Sequence, residues 1–531
     1  MGRSKNTDQK PVFLFVHQDG ATEIRGKAER RVINSHVMRH YVAQAKDGRK
    51  NRTESRQKPV PRIMQFYLVG GEGEQPALRL PQAVAVNAFD PFDSLAAEKQ
   101  KDTALILSSL FEPNKHDTIH FSWTDRYFEI LNEDYWDAAM SDAATYHVVG
   151  TMQLIIRQQK DFYFHRAQAY RNLRQSIAHC CQTRDRTVKA TLLSIGSLLF
   201  VTAHELNIEE SLNHVQALKH LLTKENSDDL SPTSWFTVMF GPLNICAAFP
   251  FAQPVVPYYP HPECQWQHLV PSAEANAQAS LATLLLPPST VSPTIHSLFR
   301  RFFELLPLAM EARHYDAIVG LFLDIKYDIC ACVAEAYWNL PKPPASMAAY
   351  HNPTSSSPFT PSRPEVAMFQ RAHEASDKTK TRLGNLDGVS ARATYMLLTA
   401  MHLNLWMLCT NKTHIQANGG VGRLIDSIAE FASELACQVL FAGYHEVLLW
   451  IVAAGISYTR YSLREPVADP RLTVLARDLL RKCEVQDVEQ LVGVMALFSG
   501  GGVWAADALV LVFEEVGVLG GDLDSFLFPG L

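Results

Sequence analysis

The stretch DRTVKATLLSIGSLLFVTAHEL, residues 185–206, decides how the rest of the chain is read. Val188, Leu192, Ile195, Leu199 and Thr202 fall at helical spacing on one stripe, and Leu193, Leu198 and Val201 widen it. An apolar surface that broad is satisfied only when other helices pack around most of its circumference, so the stretch predicts a central helix in a helical body. Its uncharged run from Ala190 to Ala203 is shorter than the ~18 residues a bilayer span needs, and His204 and Glu205 end it. No membrane segment is expected.

Outward from this helix the same period recurs. Leu212, Val215, Leu218 and Leu222 mark a shorter helix with Lys219, His220 and Lys224 turned outward, joined to the first by a connection at 207–210. Comparable patterns occupy about 101–111, 142–158, 164–181, 297–312, 316–338, 390–410, 421–441, 444–460, 471–482, 487–498 and 504–517. Period-two alternation is almost missing, and no repeat of fixed length recurs, which disfavours a regular solenoid. Two segments interrupt the series. Residues 248–264 contain five prolines among aromatic neighbours, and residues 341–364 contain seven prolines and five serines, a composition that predicts a disordered surface insertion. The fold class expected is therefore all-α, an irregular multi-helix domain over 100–531.

What precedes that domain has a different character. Residues 12–16, VFLFV, read as a short strand stopped by Asp19-Gly20. From Arg25 to Ala45, apolar residues at helical spacing alternate with Arg25, Lys27, Arg30, Arg31 and Arg39, a basic amphipathic helix. Residues 46–62, with Lys46, Arg49, Lys50, Arg52, Arg56 and Lys58, lose the apolar period and read as an exposed basic linker. A second linker, 63–99, carries the turn Asp90-Pro91-Phe92. The division of charge is sharp. Residues 1–62 hold 15 Lys/Arg and 6 Asp/Glu, whereas 63–531 hold 34 and 49, so an arm of net +9 precedes a body of net −15 in a chain of net −6.

Local catalytic motifs fail on inspection. His204-Glu205 and His445-Glu446 each open a zinc-protease-like pattern, but the second histidine is replaced by Ile208 and Leu449. Gly70-Gly71-Glu72-Gly73 and Gly500-Gly501-Gly502 lack the lysine and the strand-loop-helix setting of a phosphate loop and read as hinges or helix breaks. Cys180-Cys181 and Cys330-Ala331-Cys332 lack the spacing of a redox pair and fall inside apolar helical runs, so they read as small core residues. Nine cysteines, odd in number, suit a reducing compartment. No cofactor, no metal and no catalytic residue is expected. The arm remains: its eleven named cations can exchange condensed counterions on a phosphate backbone, serve as a nuclear address, or form a solvated basic face.

The order of segments resembles a known group. Phe13-Leu14-Phe15-Val16, then Arg30-Arg31-Val32-Ile33-Asn34-Ser35-His36-Val37-Met38, then the basic linker and Phe89-Asp90-Pro91-Phe92-Asp93-Ser94-Leu95, is similar to filamentous-fungal proteins of the fungal-specific transcription factor domain family. Tyr170-Arg171-Asn172-Leu173, His214-Val215-Gln216-Ala217-Leu218 and the helix Leu448-Leu449-Trp450-Ile451-Val452-Ala453-Ala454-Gly455 resemble that family's body. Many members begin with a binuclear zinc cluster of six cysteines. This chain has no cysteine before Cys180, so it resembles the branch without that DNA reader. The resemblance implies a nuclear transcriptional regulator, not an enzyme, with DNA phosphates and proteins of the transcription machinery as partners and homo-oligomers allowed. A non-nuclear helical scaffold, or an enzyme whose site is assembled from distant residues, are the alternatives.

Overall fold

The computed structural model describes residues 130–516 except for internal stretches, the longest of them 345–369, 371–381 and 410–418. Among the described residues there is helix and no strand, so the body is all-α. The expected strand at 12–16, basic helix at 25–45, linkers, pattern at 101–111, glycine runs at 70–73 and 500–502 and most of the Pro/Ser-rich insertion lie outside the described residues.

The first helices are α1 (Ala143–Ile156), α2 (Phe162–Thr183), α3 (Thr187–His204) and α4 (Ile208–Leu221). The stretch read as central behaves as its wide stripe requires: every residue from Thr191 to Leu199 of α3 is buried, with α1, α2, α4 and a later helix around it. The connection expected at 207–210 is tighter than read. Asn207 caps α4 by accepting from the Glu210 amide (3.2 Å), so Ile208, Glu209 and Glu210 form its first turn, where the two acids face the positive end of the helix dipole. Leu206, at φ 55°, takes the left-handed backbone that closes this short turn.

The later helix against α3 carries no clear period in sequence. After the five-residue α5 (Lys224–Asp228), α6 (Pro232–Ala248) begins on Ser231, whose hydroxyl accepts from the Ser234 amide, with Pro232 at its first position. From Thr233 to Ala248 every residue is buried, which is why no polar face marks it in sequence. It lies close against α3 because both helices present glycine at the crossing. A Cβ built on Gly241 would stand 2.5 Å from the Gly196 carbonyl oxygen, and one on Gly196 would stand 2.9 Å from Val238 Cα.

The proline-rich stretch that follows is a packed loop. The indole N–H of Trp235 donates to the Tyr259 carbonyl and that of Trp338 to the Phe251 carbonyl, both at 2.9 Å, while Phe249, Phe251, Val256 and Cys264 are buried. Then come α7 (Ala273–Leu284), α8 (Pro293–Glu311) and α9 (Tyr315–Trp338), the longest of the described helices. Gly320 of α9 meets this loop: a Cβ there would overlap the Cys264 carbonyl oxygen.

The remainder is α10 (Gly388–Cys409), α11 (Gly419–Ala432), α12 (Leu435–Leu440), α13 (His445–Ser457), α14 (Pro470–Lys482), α15 (Val488–Ser499) and α16 (Ala506–Val516). The single pattern expected at 421–441 is two helices, broken at Ser433 and Glu434, where the Glu434 amide turns back to the Phe431 carbonyl (3.1 Å). Helix α13 is apolar all round and buried from Val447 to Ser457, with Trp450 between Phe299 and Phe498, and it runs into a π-helical turn, Tyr458–Ser462. Helices α9 and α10 run antiparallel, since Lys326 meets His402 while Tyr337 faces Tyr395. Helices α6 and α9 run parallel, since Phe236 meets Phe322 and the Leu243 carbonyl meets Cys330.

Candidate functional site

The eleven cations expected to touch DNA or an import receptor, Arg25, Lys27, Arg30, Arg31, Arg39, Lys46, Arg49, Lys50, Arg52, Arg56 and Lys58, all lie outside the described residues. Within the body, the polar group that sequence spacing gave no reason to place inside is Lys326. It belongs to the run Phe322-Leu323-Asp324-Ile325-Lys326-Tyr327 of α9, where a lysine ordinarily turns outward, yet it is fully buried.

Three helices build its surroundings. Phe240 of α6, one turn before Asn244, and Trp406 of α10 lie under the ammonium, with ring centroids 5.4 and 4.4 Å from Nζ. This is cation–π distance on both sides. His402, one turn before Trp406, stands 2.5 Å from the Lys326 nitrogen, and the Trp406 indole N–H donates to the same His402 Nε2 at 2.7 Å. Ammonium and indole are donors only, so Nε2 carries a lone pair and the proton of His402 sits on Nδ1. Burial, with Lys326 adding to it, holds His402 well below the ordinary histidine range, which keeps the ring neutral.

The same helices bring two thiols together at the next turn of α9. Cys330 donates to the Leu243 carbonyl (3.7 Å) and shares a hydrogen bond with Cys246, and that bond, followed by burial, pushes the Cys246 thiol well up. Cys330 and Cys332 are buried, as their apolar setting predicts. Chemically this is a closed arrangement. Its neutral imidazole has its basic nitrogen already occupied, so it holds a cation in the core and offers no free base to a substrate.

A second buried charge lies nine residues further along α9. Glu335 accepts from the backbone amides of Arg382 and Leu383, each at 3.0 Å, at the point where the chain returns after the Pro/Ser-rich insertion. Asp328 strengthens the same junction by receiving Arg301 at 2.6 Å and Arg382 on its other oxygen, and Thr294 donates to the Arg382 carbonyl at 2.6 Å. Burial raises Asp324, which takes hydrogen bonds from Tyr258 and from the Trp266 indole at 2.5 Å.

The zinc-protease-like beginnings resolve into structural roles. Glu205 pairs with Arg166 of α2, which also reaches Glu210, while Ile208 and Leu449 fill buried positions where second ligands would stand. His147 and His165, on α1 and α2, are both buried with Nδ1 atoms 3.0 Å apart, one donating to the other. Among the described residues no group of three or more His, Cys, Asp or Glu side chains converges for a metal ion. No helix among them is long and apolar enough to cross a membrane.

No family model, no curated protein and no solved structure matches this chain. What the protein does is therefore argued from its own residues.

Proposed function

We propose that this protein is a nuclear transcriptional regulator that resembles the fungal-specific transcription factor family, with its basic arm contacting DNA phosphates or serving as a nuclear address. The observation that carries the reading is the division of charge. Residues 22–62 hold twelve Lys/Arg and four acids, and they are joined to a body of opposite sign that would by itself repel a polyphosphate. The helical body acts as the partner-binding or sensing part, and the closed arrangement around Lys326 supports a structural rather than a catalytic use of its buried ionisable groups.

The arm has no base-reading module, so its contacts position without specifying. Affinity for a DNA duplex is expected at roughly 10⁻⁴–10⁻⁶ M at physiological salt, falling steeply as salt rises. The test is a fluorescent fusion together with a mobility-shift assay. Nuclear accumulation that is lost when Arg49, Lys50 and Arg52 become Ala supports the reading, as does salt-sensitive binding lost with residues 22–62. A uniformly cytoplasmic fusion with no duplex binding at low salt makes the protein a helical scaffold instead.

A further inference from the structure

The acidic body contains one basic island. Between residues 157 and 189 there are eight Lys/Arg and two acids, a local net of +6 inside a body of net −15. Its centre is α2, which carries no Asp or Glu at all. The helix has two faces. Inward, His165, Ala169 and Leu173 are buried against the neighbouring helices, and Arg166 is engaged by Glu205 and Glu210. Outward, Tyr163, Ala167, Arg171, Arg174 and Ala178 are exposed at i, i+4, i+8, i+11 and i+15, one continuous stripe.

The N-terminal end of that stripe is aromatic. Tyr163 is 64% exposed and Phe164 44% exposed. Tyr163 is held in place by Phe162, with ring centroids 3.9 Å apart, and Phe164 rests edge-on against His147 and His165. Rigid exposed rings are thus set in line with Arg171 and Arg174, which lie ~12 and ~16 Å further along the helix axis at about 1.5 Å per residue.

We propose that the outer face of α2 is a binding surface for single-stranded nucleic acid, with a base stacked on Tyr163 and phosphates on Arg171 and Arg174. Between the rings and the arginines lie the small, exposed Ala167 and the half-buried Gln168, whose side-chain oxygen accepts from Arg171 at 3.3 Å. A planar base needs only a planar face, and the backbone attached to it supplies the phosphates that an acid-free helix attracts. This surface is distinct from the arm, so it stands or falls separately from the proposed arm–DNA contact.

The test uses the full-length chain and a fluorescein-labelled oligothymidylate carrying one 5-iodouracil, read by anisotropy at several salt concentrations and by photocrosslinking with peptide mapping. The expected crosslink is on the peptide containing Tyr163 and Phe164. Tyr163→Ala should weaken binding by about fivefold or more. Arg171→Ala with Arg174→Ala should lower the slope of log affinity against log salt by about 1.4, two phosphates at about 0.7 each. All three side chains are exposed, so unchanged melting temperatures are expected. Crosslinks confined to residues 1–62 and binding indifferent to Tyr163→Ala would overturn the proposal. So would a duplex bound as well as the single strand and equally indifferent to Tyr163. A poly-glutamate peptide that binds through Arg171 and Arg174 while the oligonucleotide does not would make an acidic protein segment the occupant, which also overturns it.

Discussion

Helix α9 buries two opposite charges, Lys326 and Glu335, and solves the problem differently at each. Lys326 is met by side chains: two aromatic faces and a neutral imidazole contributed by α6 and α10. Glu335 is held by backbone amides of a returning segment. The first arrangement locks helix against helix. The second locks a loop end onto a helix. Side-chain partners can be removed one at a time by mutation, backbone amides cannot, so the two sites should differ in how they fail.

The largest effect is expected at His402. His402→Ala removes the acceptor shared by Lys326 and the Trp406 indole, leaving a buried cation and a buried N–H without it, and should cost about 3–5 kcal/mol by urea denaturation. Trp450→Ala, which empties an apolar site between Phe299 and Phe498, sets the comparison at about 3–5 kcal/mol by the same measurement. A His402 loss below 1 kcal/mol would mean that Lys326 finds another acceptor.

Glu335→Ala should cost less, about 1–3 kcal/mol, because it leaves two backbone amides, Arg382 and Leu383, without their acceptor but no buried ammonium. Limited proteolysis should then show the chain around residue 382 cut earlier than in the parent. Equal protection would show that Asp328 and Thr294 hold the junction unaided.

Lys326→Met should be close to neutral, within about 1 kcal/mol, since it removes the charge and keeps the volume while Trp406 still donates to His402. A large loss there would show that the ammonium itself organises the three helices.

A pH dependence of comparable size completes the comparison. His402 has its folded-state value depressed, so its contribution is complete above the unfolded value of about 6.5 and is lost as pH falls below it, by up to about 1.4 kcal/mol per pH unit. The raised carboxyls of Asp324, Glu304 and Asp426 act in the opposite sense and gain as pH falls. The informative quantity is therefore the difference between the parent and His402→Gln, measured between pH 7.5 and 5.5. The parent should lose more stability across that interval than the variant, and parallel curves would remove His402 from the account.

Much of the architecture could be read from spacing, because apolar residues recur at helical period over most of the helices. The patterns at 316–338, 390–410 and 471–482 match α9, α10 and α14 to within two residues at each end. Helix α6 was invisible for the opposite reason: buried on every side, it shows no period, and Pro242 within it argues against helix. Helix α7 was missed because alanine gives little contrast between its faces. Lys326 was illegible as a core residue because its partner His402 lies 76 residues away, and nothing local distinguishes it from a solvated lysine. The basic island around α2 is visible in composition alone, eight cations against two acids between residues 157 and 189, but its exposed stripe needs the burial pattern of the folded helix.

One junction carries a consequence for how such a chain can change over generations. Glu335 takes the returning amides near the end of α9, and the Pro341 ring lies only 3.0 Å from where a side chain on Gly388 would begin, so the departing and returning strands of chain touch. The body thus closes its own circuit at the first residue of the Pro/Ser-rich segment. Doubling the number of residues between the two contacts adds only about 0.6 kcal/mol of closure entropy. Insertions and deletions there are nearly free for the fold, and a peptide tag spliced at that position should be accepted where the same tag inside α6 would not.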